Sequence, residues 1–458
     1  MSSEVATIFF CLLTILMSYL RKYKPLNLWV AKQVENTFSN HIMVSDKLMV
    51  SPDDFSIFLS TDRNRKSPDQ SIPFNELTKA LFQLNEYAVK ARQQNSIINK
   101  RTLVLDNEAT EQLNKLKYFD KIYNVEQAIN ENHKVINAVI ENILDRLVKA
   151  NKRIMLEPAE VEKELEFLCK KLNYNISKDN KLVKSEKPVT TSLNSQEPSN
   201  QSRVVEAISH LSRDWNSNFS KETETLVDYV LERIESCKFS DNKKTLILVP
   251  GPGVGQIPYS IAKQFPQYQV ESIEWSALMY LCNEFALNYN KDIKIRPFAQ
   301  YYSSQTSETN QTRSFTIPLS KVQKLDNLSV KYGDFRKYTS NIGNEYDNIV
   351  ICTVYFMDTA ENIFEYLQKI ENVNIQRNND ATQTINWINI GPLKYGTRPI
   401  VQLTAEELKK LRKIRGWKDI HEETVKDYNA GLNGYLTDYE SLYQGYYGLV
   451  KFHSRYKK

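Results

Sequence analysis

The sequence predicts an α/β protein in which a Rossmann-like, doubly wound parallel sheet follows an N-terminal helical region. Three observations carry this reading. All 12 glycines of the 458 residues lie at position 251 or beyond, so tight glycine turns belong to the second half. Much of the first half repeats apolar residues at three- and four-residue spacing, and from Thr245 onward short apolar runs alternate with amphipathic stretches, the pattern of βαβ units.

Residues 1–72 read as an extension. Within it, Val5 to Leu20 is uncharged and mostly apolar and is followed by Arg21, Lys22 and Lys24. The run falls short of the roughly 18–20 residues of a spanning helix and lacks a basic leader and a small-residue cleavage site. It reads as a buried or extension helix, with a signal-anchor touching a membrane as the alternative. Residues 73–172 form a helical domain: Leu77, Leu81, Leu84 and Tyr87, then Ile122, Val125, Ile129, Ile136, Val139 and Ile143, keep helical steps. Residues 173–203 lose apolar periodicity and read as a disordered linker or loop. Residues 204–458 form the α/β domain. Strands are expected at Thr245–Val249, Tyr268–Glu274, Ile293–Pro297, Ser329–Tyr332, Tyr346–Val354 and Thr384–Ile390, with a polar loop insertion over 301–313.

Composition sets outer bounds. Sixty Lys and Arg against 55 Asp and Glu give a net charge of +5, a mild excess that disfavours nucleic acid as the main partner. Five scattered cysteines without a CxxC pair argue against a disulfide framework, and the histidines show no metal-ligand spacing. A reducing, cytoplasmic or nuclear setting and a metal-free site follow.

Chemistry concentrates at the ends of the strands. LILVPGPGVGQI (246–257) ends a strand and opens a helix, and Gly251, Gly253 and Gly255 let the backbone turn sharply against a ligand. The dinucleotide fingerprint needs glycine at 256, where Gln256 stands, so a nicotinamide cofactor is disfavoured. The observed G-x-G-x-G is the form typical of S-adenosylmethionine methyltransferases. Glu274, about 20 residues on at the next strand end, is placed to accept ribose hydroxyls. Asp334-Phe335 reads either as an adenine clamp or as a turn aspartate beside a core ring. Asp358 follows the strand over 346–354 and reads equally as a catalytic carboxylate that holds the N–H of a nitrogen heterocycle or as a helix N-cap. Tyr435 and Tyr447, in a tyrosine-rich tail, read either as aromatic walls of a substrate pocket or as buried rings of an edge strand and helix.

Taken in order, RDW (213–215), LVPGPGVG, IEWS (273–276), YGDF (332–335), FMDTAEN (356–362), WINIGPL (387–393) and the tyrosine-rich tail make the chain resemble the carnosine N-methyltransferase family. The resemblance implies a class I methyltransferase domain and transfer of the S-adenosylmethionine methyl group to an imidazole nitrogen of a histidine-containing dipeptide; a homodimer is compatible with it. It implies Gly251, Gly253, Gly255, Glu274, Asp334, Phe335 and Arg213 around the cofactor, Asp358 on the imidazole, and Tyr435 and Tyr447 on the substrate. The chain departs from the family pattern at Gln256, where the family carries a basic residue, and at Asn216, Phe219 and Thr223, which replace Ser, Gly and Arg. Gly396 stands in place of a substrate-contacting histidine.

Overall fold

The computed structural model describes residues 56–59, 71–151, 158–179, 181–185, 201–240, 242–338, 346–373, 384–396 and 398–457. The apolar segment 5–20, most of the extension and residues 186–200 of the expected linker lie outside them.

Among the described residues, four helices precede the sheet domain: α1 (Phe74–Arg101), α2 (Asn107–Lys115), α3 (Tyr118–Asn151) and α4 (Pro158–Lys171). The residues that set the helical spacing, from Leu77 to Tyr87 and from Ile122 to Ile143, are buried. With no glycine available, the chain turns at or just beyond helix ends on Lys117 (φ 54°), Asn173 (φ 67°) and Lys238 (φ 50°). These left-handed positions usually fall to glycine, and each non-glycine residue bears a small conformational cost there. One expectation for the linker is corrected: Tyr174–Ile176 and Leu182–Lys184 pair as a short antiparallel hairpin, and helix α5 begins at Gln201. Alternation in YNI and LVK is too short to register as a strand pattern.

Helices α5 (Gln201–Trp215) and α6 (Ser220–Glu235) lead into the main sheet. Its strands are β1 (Thr245–Pro250), β2 (Gln269–Glu274), β3 (Leu328–Tyr332), β4 (Asn348–Val354), β5 (Thr384–Gly391), β6 (Lys418–Val425) and β7 (Leu449–Lys457). Among the described residues they lie in the order β6-β7-β5-β4-β1-β2-β3. Neighbours among β1 to β5 run parallel, whereas β7 is antiparallel to both β5 and β6. This is the class I methyltransferase form of the Rossmann sheet. Helices α7 (Gln256–Gln264), α8 (Ala277–Asn288), α9 (Ile363–Glu371) and α10 (Ala405–Ile414) complete the layers.

Strand periodicity divides the core in two. Ile247, Val249, Val350, Cys352, Ile388 and Ile390 share one apolar cluster with Leu77, Leu81, Ile129 and Ile136, so the helical layer and the sheet have a common core. Leu246, Leu248, Ile349, Ile351, Ile385 and Trp387 face the other way, onto Ile363, Leu367 and Leu408 of α9 and α10.

One further expectation is corrected and another is filled in. Ile293–Ile295 does not join the main sheet but pairs antiparallel with Phe315–Ile317, three residues being enough only for a local ribbon. The polar stretch 301–313 is a strap. Thr306 Oγ1 donates to the Glu440 carbonyl at 2.8 Å, Leu442 N–H to the Ser304 carbonyl at 2.7 Å, and Arg313 pairs with Asp438. It ties the tyrosine-rich loop to the domain.

Order reverses between β1 and β4, which places a crevice beyond their carboxyl ends. Gly251, Gly253 and Gly255 have φ of 61°, 59° and 97°. A Cβ on Gly255 would stand 2.5 Å from Asn283 Oδ1, and one on Gly251 would stand 2.6 Å from the Phe356 ring. Gly255→Ala therefore combines backbone strain with overpacking and is expected to cost about 2 kcal/mol in urea denaturation. A loss below about 0.5 kcal/mol, within the range of ordinary surface substitutions, would show that the loop relaxes freely.

Candidate active site

Three consecutive residues at the end of α5 divide the work of holding the glycine loop. Arg213 points inward, while the buried Asp214 carboxylate takes backbone N–H groups of Val254 and Gln256. Trp215 Nε1 donates to the Val254 carbonyl at 3.0 Å and packs edge-on against Tyr259. Glu274, at the end of β2, faces the same loop: its carboxylate accepts from Gly253 N–H at 3.1 Å and Ser276 N–H at 2.8 Å. Burial pushes Glu274 up to about 7 against those hydrogen bonds, which lower it.

The Arg213 guanidinium is almost fully buried. Its Nε lies 3.1 Å from Glu222, one Nη lies 3.2 Å from Asp214, and the other Nη has no hydrogen-bond partner among the described residues. A buried donor left open beside a glycine loop is shaped to take an anionic ligand group. Thr223 and Gln256, both departures from the family pattern, meet each other: Gln256 Nε2 lies 3.3 Å from Thr223 Oγ1, and Gln256 Oε1 is buried without a partner. Asn216 donates to the Thr316 carbonyl and Phe219 packs among Phe298 and Phe315, so these two departures serve packing.

At the end of β3, Asp334 caps the turn over Phe335–Lys337, and its carboxylate is held by Arg336 at 2.7 Å. Phe335 is 3% exposed and packs edge-on against Phe356 and Tyr366. The pair thus stands at the expected strand end, with the ring forming apolar floor.

Asp358 lies beyond β4 in a short turn. The N-cap alternative fails: Asn362 caps α9, accepting from Phe364 N–H at 3.1 Å. Asp358 instead accepts from the Lys394 backbone N–H at 3.0 Å, and burial raises its carboxyl to about 6. Tyr435 and Tyr447 come together with Tyr355, which lies just beyond β4 and was not singled out in the sequence. Tyr355 stacks on Tyr435 with centroids 5.0 Å apart, and Tyr447 stands perpendicular to both. Tyr355 has a φ of 51°, a strained conformation for a large side chain of the sort that gathers at functional sites. Arg213 lies 4.8 Å over the Tyr435 ring, and the Tyr435 hydroxyl is 3.0 Å from His210 Nε2.

Glu222 was not singled out in the sequence, yet it joins these parts. Fully buried, it takes Arg213 Nε, the N–H groups of Leu436 and Thr437 at 2.9 Å each, and the Tyr439 hydroxyl at 3.3 Å. Two successive backbone donors form an anion-binding nest, with Leu436 at φ 55°. One of two glutamates in the polar string SKETET carries no signal of this.

Among the described residues no group of His, Cys, Asp and Glu is placed to hold a metal ion, and no helix is long and apolar enough to cross a membrane.

The raised Glu274 carboxyl has a thermodynamic consequence. Between pH about 4.5 and 7 the folded protein keeps a proton that the unfolded chain has released, so its contribution lowers stability as pH rises through that window, by about 3 kcal/mol. Urea melts across pH 4 to 8 should show a weaker decline in Glu274→Gln than in the parent. Equal slopes would place the raised carboxyl elsewhere.

A family model described as carnosine N-methyltransferase matches residues 190–458. An uncharacterized protein of Saccharomyces cerevisiae is 43% identical over 467 residues, covering 99% of each chain. The carnosine N-methyltransferase of Schizosaccharomyces pombe is 27% identical over 54% of this chain and 68% of its own length, and that of Mus musculus 26% identical over 52% of this chain and 59% of its own. With the topology and the glycine loop, these matches place the chain in the carnosine N-methyltransferase family, a family of S-adenosylmethionine-dependent methyltransferases.

Proposed function

We propose that the protein transfers the methyl group of S-adenosylmethionine to an imidazole nitrogen of a histidine-containing dipeptide, of the carnosine to anserine type. The observation that carries the reading is the buried Asp358 carboxylate at the end of β4, held by a residue whose ammonium touches the Tyr355–Tyr435–Tyr447 cluster.

The residues present fit the cofactor. Gly251 and Gly255 stand where a Cβ would collide with Phe356 and Asn283, Gly253 keeps a left-handed turn at φ 59°, Glu274 offers a carboxylate for ribose hydroxyls, and the open Nη of Arg213 offers a donor for the carboxylate end. Asp334 and Phe335 would bound the adenine. When bound, the cofactor supplies an electrophilic methyl on a sulfonium. In the substrate, Asp358 accepts the N–H of one imidazole nitrogen, which leaves the lone pair on the other directed at that methyl. A ring that took the methyl from the sulfonium would carry a positive charge beside Asp358. Asp358 stabilises that charge, and Tyr435, Tyr447 and Tyr355 offer π faces to it. Alignment of nucleophile and methyl accounts for most of the acceleration, up to about 7–11 kcal/mol in favourable systems.

The neutral Gln256–Thr223 contact favours a second reading: a weakened methyltransferase-like scaffold that binds partners through its helical half, or an enzyme for another histidine-containing small molecule or peptide. Calorimetric titration with S-adenosylmethionine separates the scaffold, which would show no binding at millimolar ligand. The cysteines at 169, 237, 282 and 352 are free, in keeping with a cytoplasmic or nuclear setting.

A labelled-methyl assay against carnosine, anserine, free histidine and a cell extract tests the substrate. Asp358→Ala is expected to lower kcat at least 100-fold and to leave S-adenosylhomocysteine affinity within about twofold. Because Asp358 acts ionised, kcat should fall tenfold per pH unit below about 6 and level off above it. Equal losses of turnover and cofactor binding would make Asp358 structural.

A further inference from the structure

Lys394 performs two tasks from one position. Its backbone N–H holds Asp358 Oδ2 at 3.0 Å, while its ammonium donates to the Tyr447 hydroxyl at 3.2 Å and lies 5.3 Å from that ring's centroid. The ammonium is exposed and, among the described residues, makes no ion pair; its hydrogen-bond partner is a neutral phenol. Arg213, the other cation beside the tyrosine cluster, already serves two carboxylates. The loop that carries Lys394 is also fixed in place. At its root, a Cβ on Gly391 would stand 2.8 Å from the Tyr355 backbone nitrogen, so the strand end and the tyrosine that stacks on Tyr435 pack backbone to backbone. Two residues after Lys394, a Cβ on Gly396 would meet nothing within 4 Å, so the chain is open at that position.

We propose that Lys394 is a specificity-determining residue that binds a carboxylate of the substrate, so that the preferred substrate is an imidazole compound carrying a free carboxylate one lysine's length from the ring. The inference rests on the imidazole reading of the site and adds the anion contact to it. The backbone of Lys394 sets the carboxylate that holds the ring, and its side chain sets the cation that holds the tail, so a single residue measures the distance between the two. A lysine suits this task as a flexible point charge with three donors: one can stay on Tyr447 while others take the carboxylate. The same charge would disfavour substrates whose tail is cationic.

Matched ligands test the proposal. Carnosine and its carboxamide are titrated calorimetrically into the protein saturated with S-adenosylhomocysteine, and KM and kcat are measured for both, in the parent and in Lys394→Ala and Lys394→Arg. The expected result is about tenfold tighter binding of carnosine than of the amide by the parent. Lys394→Ala should lose that preference through KM with kcat within about twofold, and Lys394→Arg should restore most of it. Equal binding of acid and amide by the parent overturns the role of Lys394 while the imidazole reading stands. An equal loss for both ligands in Lys394→Ala does the same, by showing that the ammonium serves only to brace Tyr447 and not to bind the carboxylate. Failure of both ligands to bind the saturated parent overturns the dipeptide reading and the anion contact together.

Discussion

A single buried carboxylate holds the two sides of the site together. Glu222, on the second helix before the sheet, is completely withdrawn from solvent, and a charge in that position is tolerable only when its lone pairs are filled. They are filled from two directions. Arg213 comes from the helix that grips the glycine loop, and Leu436, Thr437 and Tyr439 come from the loop that carries Tyr435. Asn433 adds a further tie, donating to the Glu222 carbonyl and to the Tyr355 hydroxyl. Arg213 and the loop that carries Tyr435 are thus positioned by one group. Removing one partner of so buried a pair would leave an uncompensated charge, at a cost of about 3–5 kcal/mol.

The strained backbone follows from the same constraint. Leu436 adopts a left-handed conformation because that geometry aims two successive N–H groups at Glu222. Tyr355 does the same at the end of β4, where the chain must leave the sheet, pass Gly391 and present its ring to Tyr435. Both are unfavourable locally and are held by a well-connected surrounding network. The strap over 301–313 and the Arg313–Asp438 pair close the tyrosine loop from outside, so that loop is braced on both faces.

What could be read from the sequence was what short-range pattern encodes. The glycine loop, Glu274 and Asp358 were found because strand ends follow directly from apolar runs, and in an open α/β sheet those ends form the ligand rim. The helical layer was found because Leu77 to Ile143 keep their spacing. What escaped depends on partners far away in the chain. Glu222 acquires its role from residues some 215 positions later, and Tyr355 from Tyr435. Strand β6, KDIHEETV, is largely polar because it lies at an edge of the sheet, so no apolar run marks it. The Asp334-Phe335 motif leaves an adenine clamp and a core ring both open, and only the packing against Phe356 and Tyr366 puts the ring in the core. The glycine-free half looked devoid of left-handed stops, yet Lys117, Asn173 and Lys238 supply them.

The claim that Glu222 joins the two sides is most directly tested by backbone hydrogen exchange. In the parent, S-adenosylhomocysteine should slow exchange both at 251–256 and at 433–447, because filling the open Nη of Arg213 stiffens the Glu222 nest. In Glu222→Gln, at ligand levels that saturate it, protection should persist at 251–256 and vanish at 433–447. Protection confined to the glycine loop in the parent, or the same protection of both segments in the variant, would contradict it.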